Sequence, residues 1–338
     1  MVVTLKDISQ QAQVTEQTVS RALGGHSNVG QVTALKIKKI AKDLGYRPNL
    51  NAQSLRRQRS KVVGFIFPDI THSYAQNIAD GARAQLSELG YLSLIGLTSW
   101  NSKQEACEID LLLGYQVEAL VCQPIVGSEA TYQKVVEMNV PLVFVGNGLN
   151  IPGIQRVGLD GYDAGSKVIE HLLELGHRRI AFVGTDHTHQ SLALSPIKEA
   201  YSDGLKAAGI VEKNCLVRYS QTDNEESVKQ IADDLIGLMP HPTAIFCISD
   251  AIAYSMMSRL IDKGLRIPQD ISITGMGDLP SSSLEMISLT TVTQDPFQIG
   301  FLASQSVLEL LDNPGRQLSC REIQGDLISR KSTAPIVC

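Results

Sequence analysis

The chain has 338 residues, a formal net charge of −5, and 43% apolar against 19% charged residues, the balance of a soluble globular protein with more than one domain. No stretch approaches the roughly 20 consecutive apolar residues of a membrane-spanning helix. The start, Met1 to Asp7, lacks the basic and apolar regions of a secretory signal. A cytoplasmic location is expected, and Cys107, Cys122, Cys215, Cys247, Cys320 and Cys338, with no C-x-x-C spacing, read as reduced core thiols.

Charge divides the chain. Residues 1–60 hold ten Lys and Arg against three Asp and Glu, a surplus of +7, so the remaining 278 carry −12. A basic head on an acidic body points to a polyanionic partner for the head. Within it, Thr4 caps a helix from Leu5 to about Ala12 that turns Ile8 inward. A break follows at Gln13–Val14. Thr15 then caps a second helix with Val14 as a staple residue before it. Val19, Ala22 and Leu23 form its apolar stripe, and Glu16, Gln17, Ser20 and Arg21 lie on the other face. Gly24–Gly25 ends it.

A third helix runs from about Gln31 to Leu44. Ile37, Ile40, Ala41 and Leu44 face inward, while Lys36, Lys38, Lys39 and Lys42 are mostly outward. Two short helices joined by a tight turn and braced by a third make a helix-turn-helix unit. Its second helix is shaped to enter a DNA major groove with its first residues at base edges. Gln17 suits adenine, Arg21 suits guanine or a phosphate, and an ionised Glu16 suits cytosine N4. The Thr18 and Ser20 hydroxyls suit phosphates. Pro48 then ends any helix before it, and Asn49 caps a short segment from Leu50 to Leu55, too short to be stable alone. Leu55 suits a wedge between base steps in the minor groove, and Arg56, Arg57 and Arg59 follow.

These residues carry a resemblance. Thr4–Asp7–Ile8, Val14–Thr15, Thr18–Val19–Ser20–Arg21, Leu44–Gly45–Tyr46–Arg47–Pro48–Asn49 and Ala52–Ser54–Leu55 resemble the DNA-binding domain of the LacI/GalR family of bacterial transcription regulators. The resemblance implies a dimer on a near-palindromic double-stranded operator, with two hinge helices meeting at its centre. It implies DNA contacts from Thr4, Thr15, Glu16, Gln17, Thr18, Ser20, Arg21, Asn28, Tyr46, Arg47, Asn49, Ala52, Gln53, Leu55 and Arg56. Glu16 and Gln17 fall at the family's base-reading positions.

From Lys61 onward, apolar strands alternate with amphipathic helices. Strands are expected at "VVGFIFP", "YLSLIGL", "VEALVC", "PLVFVG", "IQRVGLD", "RIAFVG", "AIFCIS" and "DISITGM". Helices are expected at Tyr74–Leu89, Lys103–Gly114, Glu129–Met138 and Tyr162–Leu175. This alternation implies parallel sheets with helices on both faces, in two lobes. Ligands bind such sheets at the carboxyl ends of the strands. The expected fold is thus an N-terminal all-α helix-turn-helix (three-helix) domain plus an α/β bilobed domain with two parallel sheets.

The resemblance extends through the body at "GYDAGSKVIEHLLELGHRRIAFVG", "RIPQDISITGMGDLP", "SLTTVTQDPFQIG" and "SRKSTAP". It implies a periplasmic-binding-protein-like domain with three crossings between lobes. The division it implies is residues 1–46 for the DNA-binding domain, 47–60 for a hinge helix or linker, and 61–338 for an effector-binding and dimerisation domain. The hinge-proximal lobe takes about 62–159 plus 291–317, and the distal lobe about 160–290 plus 318–338.

The cleft is expected to be lined by His72, Ser73, Tyr74, Gln123, Gly146, Asn147, Asp186 to Ser191, Ser249, Asp250, Gly277 and Asp278, with Ile197 and Lys198 nearby. A polar set with few aromatics fits a small hydroxylated ligand. Many sugar-responsive members of the family carry an acid in place of Gly146, an arginine in place of Ile197 and an aspartate in place of Gly277. A sugar or sugar derivative is the leading effector. A nucleoside, another metabolite or a pocket without a ligand are the alternatives.

The functional expectation is a sequence-specific transcription regulator, most simply a repressor of a catabolic operon, with operator affinity set by the effector. A solute-binding protein is the alternative for the body alone. No enzyme is expected: there is no G-x-G-x-x-G, P-loop or G-x-S-x-G, and "SPIK" (195–198) matches Ser-x-x-Lys by chance. His187 and His189 beside Asp186 fall short of a metal site's ligand set. No cofactor or metal is expected. The chain ends soon after Pro335 without a leucine heptad, so a homodimer is expected, not a tetramer.

Overall fold

The computed structural model describes residues 3–24, 28–47, 59–70, 73–146, 149, 151–185, 195–210, 216–221 and 224–336. The chain separates into two compact units, Met1–Ser60 and Lys61–Cys338.

The first unit is three helices: α1 (Leu5–Ala12), α2 (Glu16–Leu23) and α3 (Gln31–Asp43). Local chemistry sets their ends. Thr4 and Asp7 form a reciprocal capping box at the start of α1, and Gln13 ends it in a left-handed conformation. The Thr15 side chain accepts from Thr18 N–H at the start of α2. Apolar spacing of three and four residues then brings Ile8, Ala12, Val19, Ala22, Ile37 and Ala41 into one buried cluster. Lys36, exposed as expected, also donates to the Ala12 carbonyl at 3.2 Å at the end of α1.

In the second unit the elements are β1 (Val62–Phe67), α4 (Ser73–Glu88), β2 (Leu92–Leu97), α5 (Ser102–Gly114), β3 (Ala119–Cys122), α6 (Glu129–Glu137), β4 (Leu142–Val145) and β5 (Gln155–Leu159). They continue with α7 (Gly161–Glu174), β6 (Ile180–Thr185), α8 (Ser195–Ala207), β7 (Leu216–Ser220), α9 (Glu225–Gly237), β8 (Ala244–Cys247), α10 (Asp250–Asp262) and β9 (Ser272–Gly277). Last come β10 (Thr290–Thr293), α11 (Pro296–Asp312), β11 (Arg321–Ile323) and β12 (Leu327–Ile328). One sheet has the order β11-β5-β4-β3-β1-β2 and the other β12-β10-β9-β8-β6-β7. All pairings are parallel except β10 with β12.

The expected lobe boundaries are displaced at two crossings. The expected boundary puts residues 291–293 in the hinge-proximal lobe, yet β10 pairs with β9 in the second sheet, Thr291 opposite Gly275. It puts residues 318–323 in the distal lobe, yet β11 pairs with β5 in the first sheet, Glu322 opposite Gly158. Strand membership is decided by long-range partners, which a local pattern does not contain.

The three crossings leave β5, β10 and β11 at their carboxyl ends, so the carboxyl ends of the two sheets face each other. Backbone bonds tie the crossings together: Asp160 N donates to Ile323 O at 2.9 Å and Thr293 N to Asp326 O at 2.9 Å. Lys167 Nζ donates to Gly325 O at 2.7 Å. Gly325 has no room for a side chain, since a Cβ would lie 2.7 Å from Val292 Cγ1.

Glycines also set the helix layers. A Cβ on Gly81 of α4 would collide with the Phe297 carbonyl of α11, and one on Gly300 of α11 with the Ile78 carbonyl of α4. Two helices thus touch backbone to backbone at this crossing. Cys122 and Cys247 are buried as expected, but Cys107 and Cys320 are exposed. On α5 the inward stripe is Glu105, Ile109 and Leu112, which turns Cys107 to the other side. No helix among the described residues is long and apolar enough to cross a membrane.

Candidate functional site

Two sites arise, one in each unit. In the head, the cap and the apolar stripe orient α2. Val19 and Ala22 are fully turned inward, at 0% and 2% exposure. Glu16 and Gln17, at the tip, are exposed, and Thr18, Ser20 and Arg21 are half-buried along the same helix. The Thr15 and Thr18 hydroxyls lie 2.9 Å apart. Asn28 and Arg47 are exposed.

Thr4 is less free than expected. Its hydroxyl donates to Asp7 Oδ2 at 2.7 Å and its N–H to the same oxygen at 2.8 Å. These two bonds hold the Asp7 carboxyl below its ordinary range. Tyr46 is half-buried against the three-helix core, its N–H bonded to Ala41 O at 2.8 Å. Asn49, Ala52, Gln53, Leu55 and Arg56 lie outside the described residues.

In the body, the loops at the carboxyl ends of the strands gather most of the predicted cleft residues. Ser73 and Tyr74 open α4 after β1. The N–H of Gln123, after β3, donates to Ile66 O of β1 at 2.9 Å. Gly146, after β4, has φ +74°, and a Cβ there would stand 3.3 Å from the Tyr74 hydroxyl. Tyr74 thus occupies the space that a side chain at residue 146 would enter. Burial pushes its phenol up to about 12, so it stays neutral and can both donate and accept.

Across from these, Ser249 caps α10 and accepts from Ile252 N–H at 3.3 Å. Gly277 ends β9 with φ +133°. Asp278 follows in a left-handed conformation, φ 47°, and its carboxylate accepts from Arg330 at 2.6 Å.

Two predicted cleft residues stand elsewhere. The Ile197 side chain is 1% exposed and belongs to the core of the second lobe. Along α8, Ile197, Ala200, Tyr201 and Leu205 make the inward stripe, and Gly165 of α7 lets the two helices close on one another there. The exposed Lys198 places Nζ 5.9 Å from the centroid of the Tyr219 ring on β7. His72, Asn147 and Asp186 to Ser191 lie outside the described residues.

The residue with the most elaborate support in this region is Asp250, the first residue of α10, which is fully buried. It accepts from Leu279 N–H at 2.7 Å, the Ser282 hydroxyl at 2.6 Å and the Thr291 hydroxyl at 2.6 Å. Burial pushes its carboxyl above the ordinary value against the pull of these bonds. Sequence reasoning placed it among lining residues, whereas it is the knot that joins α10, the turn after β9 and β10. Arg330 was missed altogether. Its only sequence signal was membership of "SRKSTAP".

Residues 4–49 match the family described as bacterial regulatory proteins, lacI family, and residues 169–333 match the periplasmic binding protein-like domain. The HTH-type transcriptional repressor CytR of Escherichia coli (strain K12) is 29% identical over 338 residues, 98% of this chain and 96% of that one. The probable HTH-type transcriptional repressor ExuR of Bacillus subtilis (strain 168) is 30% identical over 316 residues, 92% of each chain. The structure of the lac repressor dimer bound to operator and the anti-inducer ONPF has the same fold, with a TM-score of 0.89 at 24% identity over 99% of this chain and 100% of that one.

Proposed function

The chain belongs to the lacI family of bacterial regulatory proteins, and from that premise we propose that it acts as a homodimeric repressor whose hold on a near-palindromic operator is set by a small neutral ligand in the body. The observation that carries the proposal is α2. It is capped by Thr15, anchored by Val19 and Ala22, and presents Glu16 and Gln17 to solvent. A helix so oriented reads bases in a major groove, while the surrounding lysines and arginines hold phosphates. Residues 47–60 serve as the hinge between the two units.

A second copy of the chain is the partner for β2, an edge strand of the first sheet. Leu92 is 55% exposed and Ile95 49%, an apolar edge that a soluble protein covers. The lac repressor structure is of a dimer on operator, which supports the same assembly here.

The ligand is read as a sugar or sugar derivative. The Tyr74 phenol, Gln123 and Ser249 supply neutral hydrogen-bonding groups, and the carboxylates of Asp250 and Asp278 are already engaged. The body is read as a binding domain and the protein as a cytoplasmic regulator, in keeping with the repressors it resembles. Ligand acts by preferring one arrangement of the two lobes over another.

Selection of operator sequences from random duplexes tests the DNA side: a near-palindrome is expected, and uniform, sequence-blind binding would overturn the reading. A thermal-shift screen of sugars, sugar acids, nucleosides and phosphosugars tests the other side, since a ligand of the folded state raises the midpoint by linkage. A nucleoside hit with no sugar hit would replace the ligand class.

A further inference from the structure

In the first lobe a carboxyl group is sealed in the core, and the groups that bear on it among the described residues include no cation. Glu105, in the first turn of α5, is 0% exposed. Its Oε1 accepts from the Tyr132 hydroxyl of α6 at 2.6 Å. Its Oε2 has no hydrogen-bond partner, and neither does Ser128 Oγ, although the Ser128 hydroxyl and the Ile125 N–H stand beside the carboxyl. The titratable groups packed against it are Tyr132 and Glu129 from α6 and Cys122 from β3. None is cationic.

A buried carboxylate in this setting would carry its charge without a countercharge, which a low-polarity surrounding penalises. A proton removes that cost. As a carboxylic acid, Glu105 can donate from Oε2 to Ser128 Oγ while Oε1 goes on accepting from Tyr132, which pairs both oxygens without leaving a charge in the core. Burial, the largest influence, pushes the group above its ordinary value against the pull of Ser128, Tyr132 and the Ile125 N–H, and the negative charge of Glu129 adds to the rise.

The place matters as much as the proton. Ile125 and Ser128 belong to the segment between β3 and α6 that begins with Gln123, at the carboxyl rim of the first sheet. We propose that Glu105 is kept as a neutral carboxylic acid and, by bonding Ser128 and the Ile125 N–H, acts as the positioning residue for the segment that brings Gln123 to the ligand cleft. The second half of this proposal rests on reading that cleft as the ligand site. Ionisation of Glu105 as pH rises then loosens the segment from beneath.

Infrared difference spectroscopy on the full chain tests the protonation directly and without a ligand. The carbonyl band of a buried protonated carboxylic acid is expected at neutral pH in the wild type and is lost in Glu105→Gln. Tyr132→Phe should shift the band, because it removes the bond to the acid carbonyl oxygen. This variant keeps the test alive if the glutamine does not fold.

The pH profile is the second readout. Above the ordinary glutamate value the unfolded chain is ionised while the folded one keeps its proton. Across that window the wild type's folding equilibrium constant should fall by as much as tenfold per pH unit against that of Glu105→Gln. Amide exchange at Gln123 and Ile125, normalised to the intrinsic rate, should lose protection over the same range in the wild type only. Absence of the acid band together with a pH-independent difference between the two proteins would overturn the proposal. A failure of the ligand reading shows separately, as a blank thermal-shift screen with the acid band intact.

Discussion

Arg330 and Asp278 are joined at 2.6 Å, and the other terminal nitrogen of the same guanidinium donates to Leu289 O at 2.7 Å. Asp278 follows β9, Leu289 precedes β10 and Arg330 follows β12, so one side chain fastens three neighbouring segments of the second sheet. The two partners are only 16% and 25% exposed at their side chains. Removing one leaves the other charge poorly solvated. Arg330→Ala is expected to lower stability by about 2–3 kcal/mol, read as a shift of the urea midpoint. Arg330→Lys should restore little of it, because a point charge on a single nitrogen does not reproduce the planar fork. A midpoint unchanged in the alanine variant would remove this role.

Gly81 and Gly300 make a sharper steric prediction. A methyl group on either would overlap a carbonyl of the facing helix, Phe297 or Ile78. Backbone cannot yield as a flexible side-chain end does, so α4 and α11 must separate and their shared core must open. Overpacking a well-filled interior costs about 1–3 kcal/mol and sometimes more. Gly300→Ala is expected at or beyond the top of that range in denaturant unfolding, despite alanine's better helix propensity. A stabilised Gly300→Ala protein would show that the helices are not in backbone contact.

The parts read correctly from sequence are those whose causes are local. Thr4 and Thr15 cap helices because a hydroxyl three residues from an unpaired N–H is enough, and the head's apolar stripes need only their spacing. Strands β1 to β6 announced themselves as apolar runs between helices. What was misplaced depends on distant partners. Ile197 looked like a cleft residue until the α7–α8 contact at Gly165 turned it inward. The crossings moved because β10 and β11 are defined by the strands beside them. Asp250 gains its meaning from Leu279, Ser282 and Thr291, which no spacing rule links to it.

His177 gives the second lobe an acid limit. It is 3% exposed, with Nδ1 3.0 Å from the Thr243 hydroxyl and Nε2 3.0 Å from the Ser272 hydroxyl. Burial holds the imidazole below its ordinary value of 6.5. The unfolded chain therefore takes up its proton first as pH falls. In that window the unfolded state binds more protons, and stability falls with falling pH. His171, lowered for the same reason, acts in the same sense. The thermal midpoint of the wild type should decline as pH drops through about 6.5, more steeply than that of His177→Gln. Parallel slopes would mean that the ring is already charged in the folded state.

If the exposed end of α2 reads the operator as proposed, its two kinds of residue should fail in different ways. Arg21 stands half-buried one turn beyond Gln17, where it can reach a guanine edge or a phosphate. Arg21→Ala is expected to cost about 1–3 kcal/mol of operator affinity and to flatten the preference at one base pair. Glu16 opposes the general attraction to DNA, since it places a negative charge at the very tip of a basic domain. Its proposed use is discrimination, through a bond accepted from a cytosine amino group. Glu16→Ala should therefore leave nonspecific binding equal or stronger while relaxing the preferred base at its position. Competition binding across operator variants at two salt concentrations separates the outcomes, because lost phosphate contacts reduce the salt slope and lost base contacts do not. An unchanged base profile in Glu16→Ala would assign the residue to the helix dipole at the N-terminus of α2 instead.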